Sequence, residues 1–269
     1  MIPADFKVSF TDTQLEQIER HPGYAKLGDC PVCEGRGTYT YLGTEYDCPV
    51  GPGDVHIAKR LSMKYFLHNI PMGYQNLVWE EWPEETETQQ HAKNSMDLYV
   101  ESFKRFNLNG VGLTFFSKGL GTGKTWGATA TLKRLVKAGV DGWFAPFYEV
   151  KSYFEIGDKA ERDFKINRVK ESELLVLDEV HMPGSEAQRN FYADRLEELV
   201  RPRTDNNYPT IITTNMTPEE LEDTYPRVFS LMSAKNLVIE LDGSDYRLGT
   251  GIWQRNVESG QNAEALPIT

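Results

Sequence analysis

Short apolar runs recur through the last two-thirds of the chain: VGLTFF at 111–116, WFAPF at 143–147, LLVL at 174–177, TIITT at 210–214 and LVIEL at 237–241. Each is long enough for a buried strand and is bounded by polar or glycine-bearing segments. Helical patterns lie between them. One runs from Lys124 to Lys137 and meets Gly139, a C-terminal stop signal. Ser185 with Gln188 has the spacing of a capping box ahead of EAQRNFYADRLEELV. Thr217, Pro218 and Glu220 repeat that start signal. Strands alternating with helices predict crossover units and a mostly parallel sheet, an α/β core of three layers.

The front of the chain has a different texture. Thr11 is placed to cap TDTQLEQIERH, residues 30–56 are rich in Gly, Pro and Cys, and Lys59 to Asn69 is patterned like a helix. The acidic stretch WEEWPEETETQQH, broken by Pro83, reads as a linker or a solvated surface turn. We therefore divide the chain into a module at 1–69, a core at 70–253 whose first part (70–107) holds linker and entry helices, and a polar tail at 254–269. No internal repeat is visible.

Composition narrows the class. Of the 269 residues, 39% are hydrophobic, enough for a packed core, and 26% are charged. No apolar run approaches the roughly 20 residues of a membrane span, and the first residues lack a signal-peptide pattern. The expectation is a cytoplasmic protein with no membrane partner. The net charge of -11 argues against general coating of nucleic acid but leaves room for a local basic groove. The three cysteines are too few for a disulfide scaffold.

The strongest chemical signal follows the first apolar run, where SKGLGTGKT leads into a helix. Gly119, Gly121 and Gly123, with Thr122 among them, allow the backbone to aim N–H groups at phosphate oxygens. Lys124 is placed to reach β- and γ-phosphates, and the Thr125 hydroxyl to ligate Mg²⁺. Lys118 stands where such loops usually begin with glycine. Trp126 follows the loop directly and is grouped with the nucleotide-binding positions, though its bulk suits core packing. LLVLDEV ends an apolar strand in two acids: Asp178 to hold the Mg²⁺ shell and Glu179 to act as general base on water. Asn215 ends the TIITT strand, placed to orient that water or to serve as a turn or helix cap.

The order of loop strand, intervening strand, acid strand and polar-ended strand resembles the AAA+ class of P-loop ATPases. From about Ile70 to Gly249 the chain resembles the DnaC/IstB-like helicase loaders, through IPMGYQNLVWEEW, GLGTGKTW, LLVLDEV, RPRTDNNYPTIITTN, LEDTYPRVFSLMSA and DGSDYR. The resemblance implies further roles. Arg227 corresponds to an arginine that reaches into a neighbouring subunit's site, and Arg247 to one near the nucleotide in its own subunit. Tyr74 lies in a segment that relatives keep near the adenine. Arg201 and Arg203 fall where relatives place basic residues. The resemblance also implies an oligomer assembled by ATP, a DnaB-like replicative helicase as partner, and single-stranded DNA as substrate. Tyr148, Tyr153 and Phe154 are candidates to stack on bases or to pack in the core.

All three cysteines fall between positions 30 and 48. Cys30 and Cys33 form a CPVC pair, and Cys48 follows the tyrosine-rich span TYTYLGTEYD, which reads as a short hairpin. Such a set can grip Zn²⁺, with His56 as the favoured fourth ligand and His21, Asp54 or a water as alternatives. Relatives of phage type carry a comparable knuckle with four cysteines. The expectation is a zinc-binding module ahead of a P-loop AAA+ core that loads a ring helicase, with ATP, Mg²⁺ and Zn²⁺ bound. The alternatives are an IstB-like transposition helper on duplex DNA and a nucleotide-binding adaptor without turnover.

Overall fold

The computed structural model describes residues 64–243, save positions 76 and 78, and a hairpin at 38–41 and 44–47. That hairpin pairs β1 (Thr38–Tyr41) with β2 (Thr44–Asp47) antiparallel, Thr38 opposite Asp47, as the tyrosine-rich span predicts. Cys30, Cys33, Cys48, His56 and His21 lie outside the described residues, as do Asp54, Arg247, the Thr11 cap and the polar tail.

The core is a parallel sheet of β3 (Leu113–Phe116), β4 (Gly142–Pro146), β5 (Leu174–Val180), β6 (Thr210–Thr214) and β7 (Leu237–Glu240). Its spatial order is β4-β5-β6-β3-β7, every pair parallel. All five apolar runs are therefore strands, within a residue or two of their expected bounds except β5, which continues through the acids to Val180. Side chains alternate between faces, as strand geometry requires. Leu174 and Val176 enter one hydrophobic cluster and Leu175 and Leu177 the other; Ile211 and Ile212 divide in the same way. A sheet buried on both faces reads as unbroken apolar runs, which is why period-2 alternation is absent from the sequence.

One face is covered by α1 (Met72–Gln75), α2 (Glu87–Glu101), α3 (Phe103–Leu108) and α4 (Lys124–Lys137). The other carries α5 (Val150–Glu155), α6 (Lys159–Glu171), α7 (Glu186–Asp205), α8 (Pro218–Thr224) and α9 (Pro226–Ser233). The α4 helix ends as expected, with Gly139 in the left-handed region at φ 100° just beyond it. A full capping box starts α8 at Thr217 and Glu220. At α7 only half of the expected box forms: Ser185 accepts from the Gln188 N–H, with no return bond from the glutamine.

The acidic stretch is neither a free linker nor a solvated turn. Trp82 is buried, its indole N–H donates to the Gln89 carbonyl at 3.2 Å, and its ring meets Trp126 edge-on. Thr86 and Gln89 then form a capping box for α2. The residues before 70 also bond to the core, since the His68 carbonyl accepts from the Phe144 N–H at 3.0 Å and Asn69 donates to the Phe144 carbonyl. These contacts cover the outer edge of β4, which would otherwise expose unpaired backbone groups.

Arg203, one of the two basic residues ahead of β6, points into the fold. It is fully buried, and its guanidinium donates to the carbonyls of Val169, Ser172 and Pro209 and to the Thr210 hydroxyl. It closes the C-terminus of α6 against the start of β6. Burial pulls its pKa down, to about 9, so it stays charged at neutral pH. Among the described residues no helix is long and apolar enough to cross a membrane.

Candidate functional site

The loop between β3 and α4 lies at the carboxyl end of the sheet, where parallel sheets open their ligand crevice. Gly121 and Gly123 have φ of 67° and 98°, in the region where a side chain is strained. Lys118, the departure from the usual first glycine, is exposed, and the first turn is closed instead by the Gly119 N–H bonding to the Ser117 hydroxyl at 3.1 Å. A Cβ at Gly119 would come within 2.8 Å of the Thr122 methyl, so the cradle has room for the bare backbone alone. The Lys124 ammonium lies across the loop and donates to the Gly119 carbonyl at 2.9 Å and to the Thr122 hydroxyl at 3.3 Å. Such a cation on a flexible stem, seated among exchangeable carbonyls and beside a helix N-terminus, is suited to a phosphate chain.

Beneath the loop, Thr125 and Asp178 are both buried, with the Thr125 hydroxyl near enough to favour the charged carboxylate. Asp178 also accepts from the Thr213 hydroxyl at 2.6 Å. Burial pushes its carboxyl up to about 6, against the opposing pull of the two hydroxyls and the Lys124 charge, while the neighbouring Glu179 raises it further. A buried carboxylate beside a threonine hydroxyl is an oxygen set that fits a hard divalent cation such as Mg²⁺. Glu179, one residue on, is exposed and has a left-handed backbone at φ 59°, unusual for a residue with a side chain. Its N–H donates to Thr213 Oγ1 at 2.8 Å, and its carbonyl faces the His181 Nδ1 at 3.0 Å.

The fold thus brings Gly119 to Thr125, Asp178 and Glu179 to one crevice. Asn215 follows β6 at the same sheet end and is exposed; the cap of α8 is Thr217, so Asn215 is not needed for that task. Trp126 is buried and packs against Trp82, its indole N–H without a partner among the described residues. Tyr74 in α1 is partly buried against the core, and its carbonyl and those of Gln75 and Leu77 accept from the buried ammonium of Lys133 on α4. Tyr153 is buried with its hydroxyl on Glu149, and Phe154 packs under the Arg195 guanidinium; both serve the core. Tyr148 alone of those three aromatics is largely exposed, close enough to the acids to feel both charges. Arg227 on α9 projects outward, 73% exposed, and pairs with Glu197 of α7 at 3.0 Å. Arg201 shares that carboxylate.

Sequence reasoning did not single out Thr213, His181, Lys133 or Trp82. The one available signal was a run of two hydroxyls, Thr213 and Thr214, directly after the apolar pair Ile211 and Ile212.

A sheet in which the polar-ended strand β6 lies between the loop strand β3 and the acid strand β5 has the α/β fold of AAA+ P-loop ATPase domains. Among solved structures it is similar to a DnaC helicase loader, with a TM-score of 0.55 and 22% identity over 64% of this chain and 100% of that one. A DnaI structure matches with a TM-score of 0.55 and 16% identity, covering 66% and 94% of the two chains. A replication initiator DnaA bound to AMPPCP and single-stranded DNA matches with a TM-score of 0.53 and 16% identity, covering 72% and 58%. No family model and no curated protein sequence matches the chain.

Proposed function

We propose that this chain is an ATPase that assembles on binding ATP and loads or remodels a replicative ring helicase on single-stranded DNA. The observation that carries the ATPase reading is the buried Thr125–Asp178 pair directly beneath a glycine loop bridged by the Lys124 ammonium. In this reading Lys124 exchanges its loop carbonyls for β- and γ-phosphate oxygens, and the loop N–H groups take the remaining phosphate charge. Thr125 and Asp178 hold the magnesium ion that accompanies the nucleotide, which supplies charge neutralisation at the phosphates. The exposed Glu179 carboxylate accepts a proton from water as its oxygen attacks the γ-phosphorus, and the bond to the ADP oxygen breaks. Asn215 orients that water. Arg227 faces outward from its own subunit, which suits a group that completes a neighbour's site. Arg247 and Tyr74 contribute to the nucleotide's own-subunit contacts.

The helicase-loading part rests on the fold shared with DnaC and DnaI and on the motifs between Ile70 and Gly249. The test measures ATP turnover with and without single-stranded DNA, and co-purification with the replicative helicase of the same cell. Lys124→Ala should lose binding of a fluorescent ATP analogue, and Glu179→Gln should keep binding and lose turnover. Unchanged analogue affinity in Lys124→Ala would remove the nucleotide site. Preference for duplex DNA with no helicase bound would replace loading by a transposition-helper role.

A further inference from the structure

The two acids of β5 are set apart by a bulge. Leu177 pairs with Ile212 and Val180 with Thr214, so Asp178 and Glu179 together oppose the single residue Thr213. An extra residue in one strand bends it and re-aims a side chain. Here Asp178 is left buried and Glu179 is turned out through its left-handed backbone. The irregularity removes the regular ladder partner of the Glu179 N–H, and the Thr213 side chain takes its place at 2.8 Å. That hydroxyl has one proton. While its oxygen accepts from the Glu179 N–H, it donates that proton to Asp178 Oδ1 at 2.6 Å. The result is a continuous chain, Glu179 N–H to Thr213 O–H to the Asp178 carboxylate. Thr213 is only 1% exposed, so both bonds lie away from bulk solvent.

We propose that Thr213 is the positioning residue of the acid pair, holding the Asp178 carboxylate toward Thr125 and fixing the backbone turn that presents Glu179 to the crevice. This rests on the ATPase reading above and adds to it a residue that touches neither nucleotide nor metal. The geometry needs a hydroxyl. Valine has the same shape but would leave the Glu179 N–H and Asp178 Oδ1 without partners, whereas serine keeps both bonds.

The experiment compares wild type with Thr213→Val and Thr213→Ser, and uses Thr213→Cys, with its weak S–H donor, should the valine variant fail to fold. Affinity for a fluorescent ADP analogue in EDTA reports the glycine loop and should change less than about twofold. The Mg²⁺ concentration giving half-maximal ATP binding should rise about 10–100-fold in Thr213→Val, as when other residues supporting a metal ligand are lost. Its kcat should fall by a similar factor with the KM for ATP at saturating Mg²⁺ little changed, and Thr213→Ser should recover both to within about threefold of wild type. Wild-type Mg²⁺ dependence and kcat in Thr213→Val would overturn the proposal. So would a Thr213→Ser variant as impaired as valine, because packing and not the hydroxyl would then be responsible. A wild type that binds nucleotide with Mg²⁺ but never turns it over would refute hydrolysis, and the Mg²⁺ dependence of binding would then decide Thr213 by itself.

Discussion

Asp178→Asn should stabilise the nucleotide-free protein while disabling it. In the folded chain the Asp178 carboxyl is raised from its ordinary value of 3.8 to about 6, chiefly because it is buried. The folded state therefore binds this proton more tightly than the unfolded state does between about pH 4 and 6. Ionisation is thus charged against the folded state: the penalty is nearly absent below pH 4 and complete above pH 6. A pKa carried from 3.8 to about 6 corresponds to a penalty on the order of 3 kcal/mol at pH 7.5, shrinking to about 1 kcal/mol at pH 4.5. Asparagine removes the charge, keeps an oxygen for the Thr213 hydroxyl and offers an amide N–H to Thr125. Urea unfolding in EDTA without nucleotide should show the variant more stable by about 3 kcal/mol at pH 7.5 and by about a third of that at pH 4.5. Magnesium and ATP should close most of that gap at pH 7.5, because a ligand at a hundred times its Kd adds about 2.7 kcal/mol to the wild type and little to the variant. An Asp178→Asn protein less stable than wild type at pH 7.5 without ligand, or a difference independent of pH, would refute the assignment of a buried, destabilising carboxylate.

Arg203→Met should cost on the order of 3–5 kcal/mol in urea unfolding, since three carbonyls and the Thr210 hydroxyl lose their buried donor; a loss below about 1 kcal/mol would show that water replaces the guanidinium. Arg227→Ala should leave the melting temperature and monomer nucleotide binding unchanged and depress turnover in the assembly, with partial recovery on mixing with Lys124→Ala; wild-type turnover in Arg227→Ala alone would refute its action across subunits. Metal analysis after purification from metal-free buffers should find about one Zn²⁺ per chain, reduced by Cys33→Ser and by His56→Ala; no zinc in the wild type would remove the zinc module, and full retention in His56→Ala would move the fourth ligand elsewhere.

What could be read from the sequence were the features whose cause is local. Each strand is an apolar run because both sheet faces are covered, and each helix start at Thr217 or Ser185 carries its own capping side chain. The glycine loop is legible because left-handed backbone at Gly121 and Gly123 has a residue type assigned to it. Glu179 has the same kind of backbone with no such residue type, and the reason lies about 35 positions along the chain, in a threonine hydroxyl on the adjacent strand. Arg203 illustrates the same limit from the side of charge. By composition an arginine belongs at the surface, and only the crossing of α6, α7 and β6 assembles enough acceptors to bury it. Trp82 sits in an acidic, proline-broken stretch that reads as solvated, yet its ring covers the helix behind the phosphate loop, where a Cβ on Gly127 would come within 3.1 Å of it. In all three cases the informative partner is remote in sequence and the local signal points the other way. The loop and the acids are thus visible as motifs, while the contacts that aim them are not: Thr213 on the acids, Trp82 behind the loop helix, and Lys133 holding the segment of Tyr74. Substitutions at those supporting positions therefore separate aim from chemistry, because they leave every reacting group in place and change only where it points.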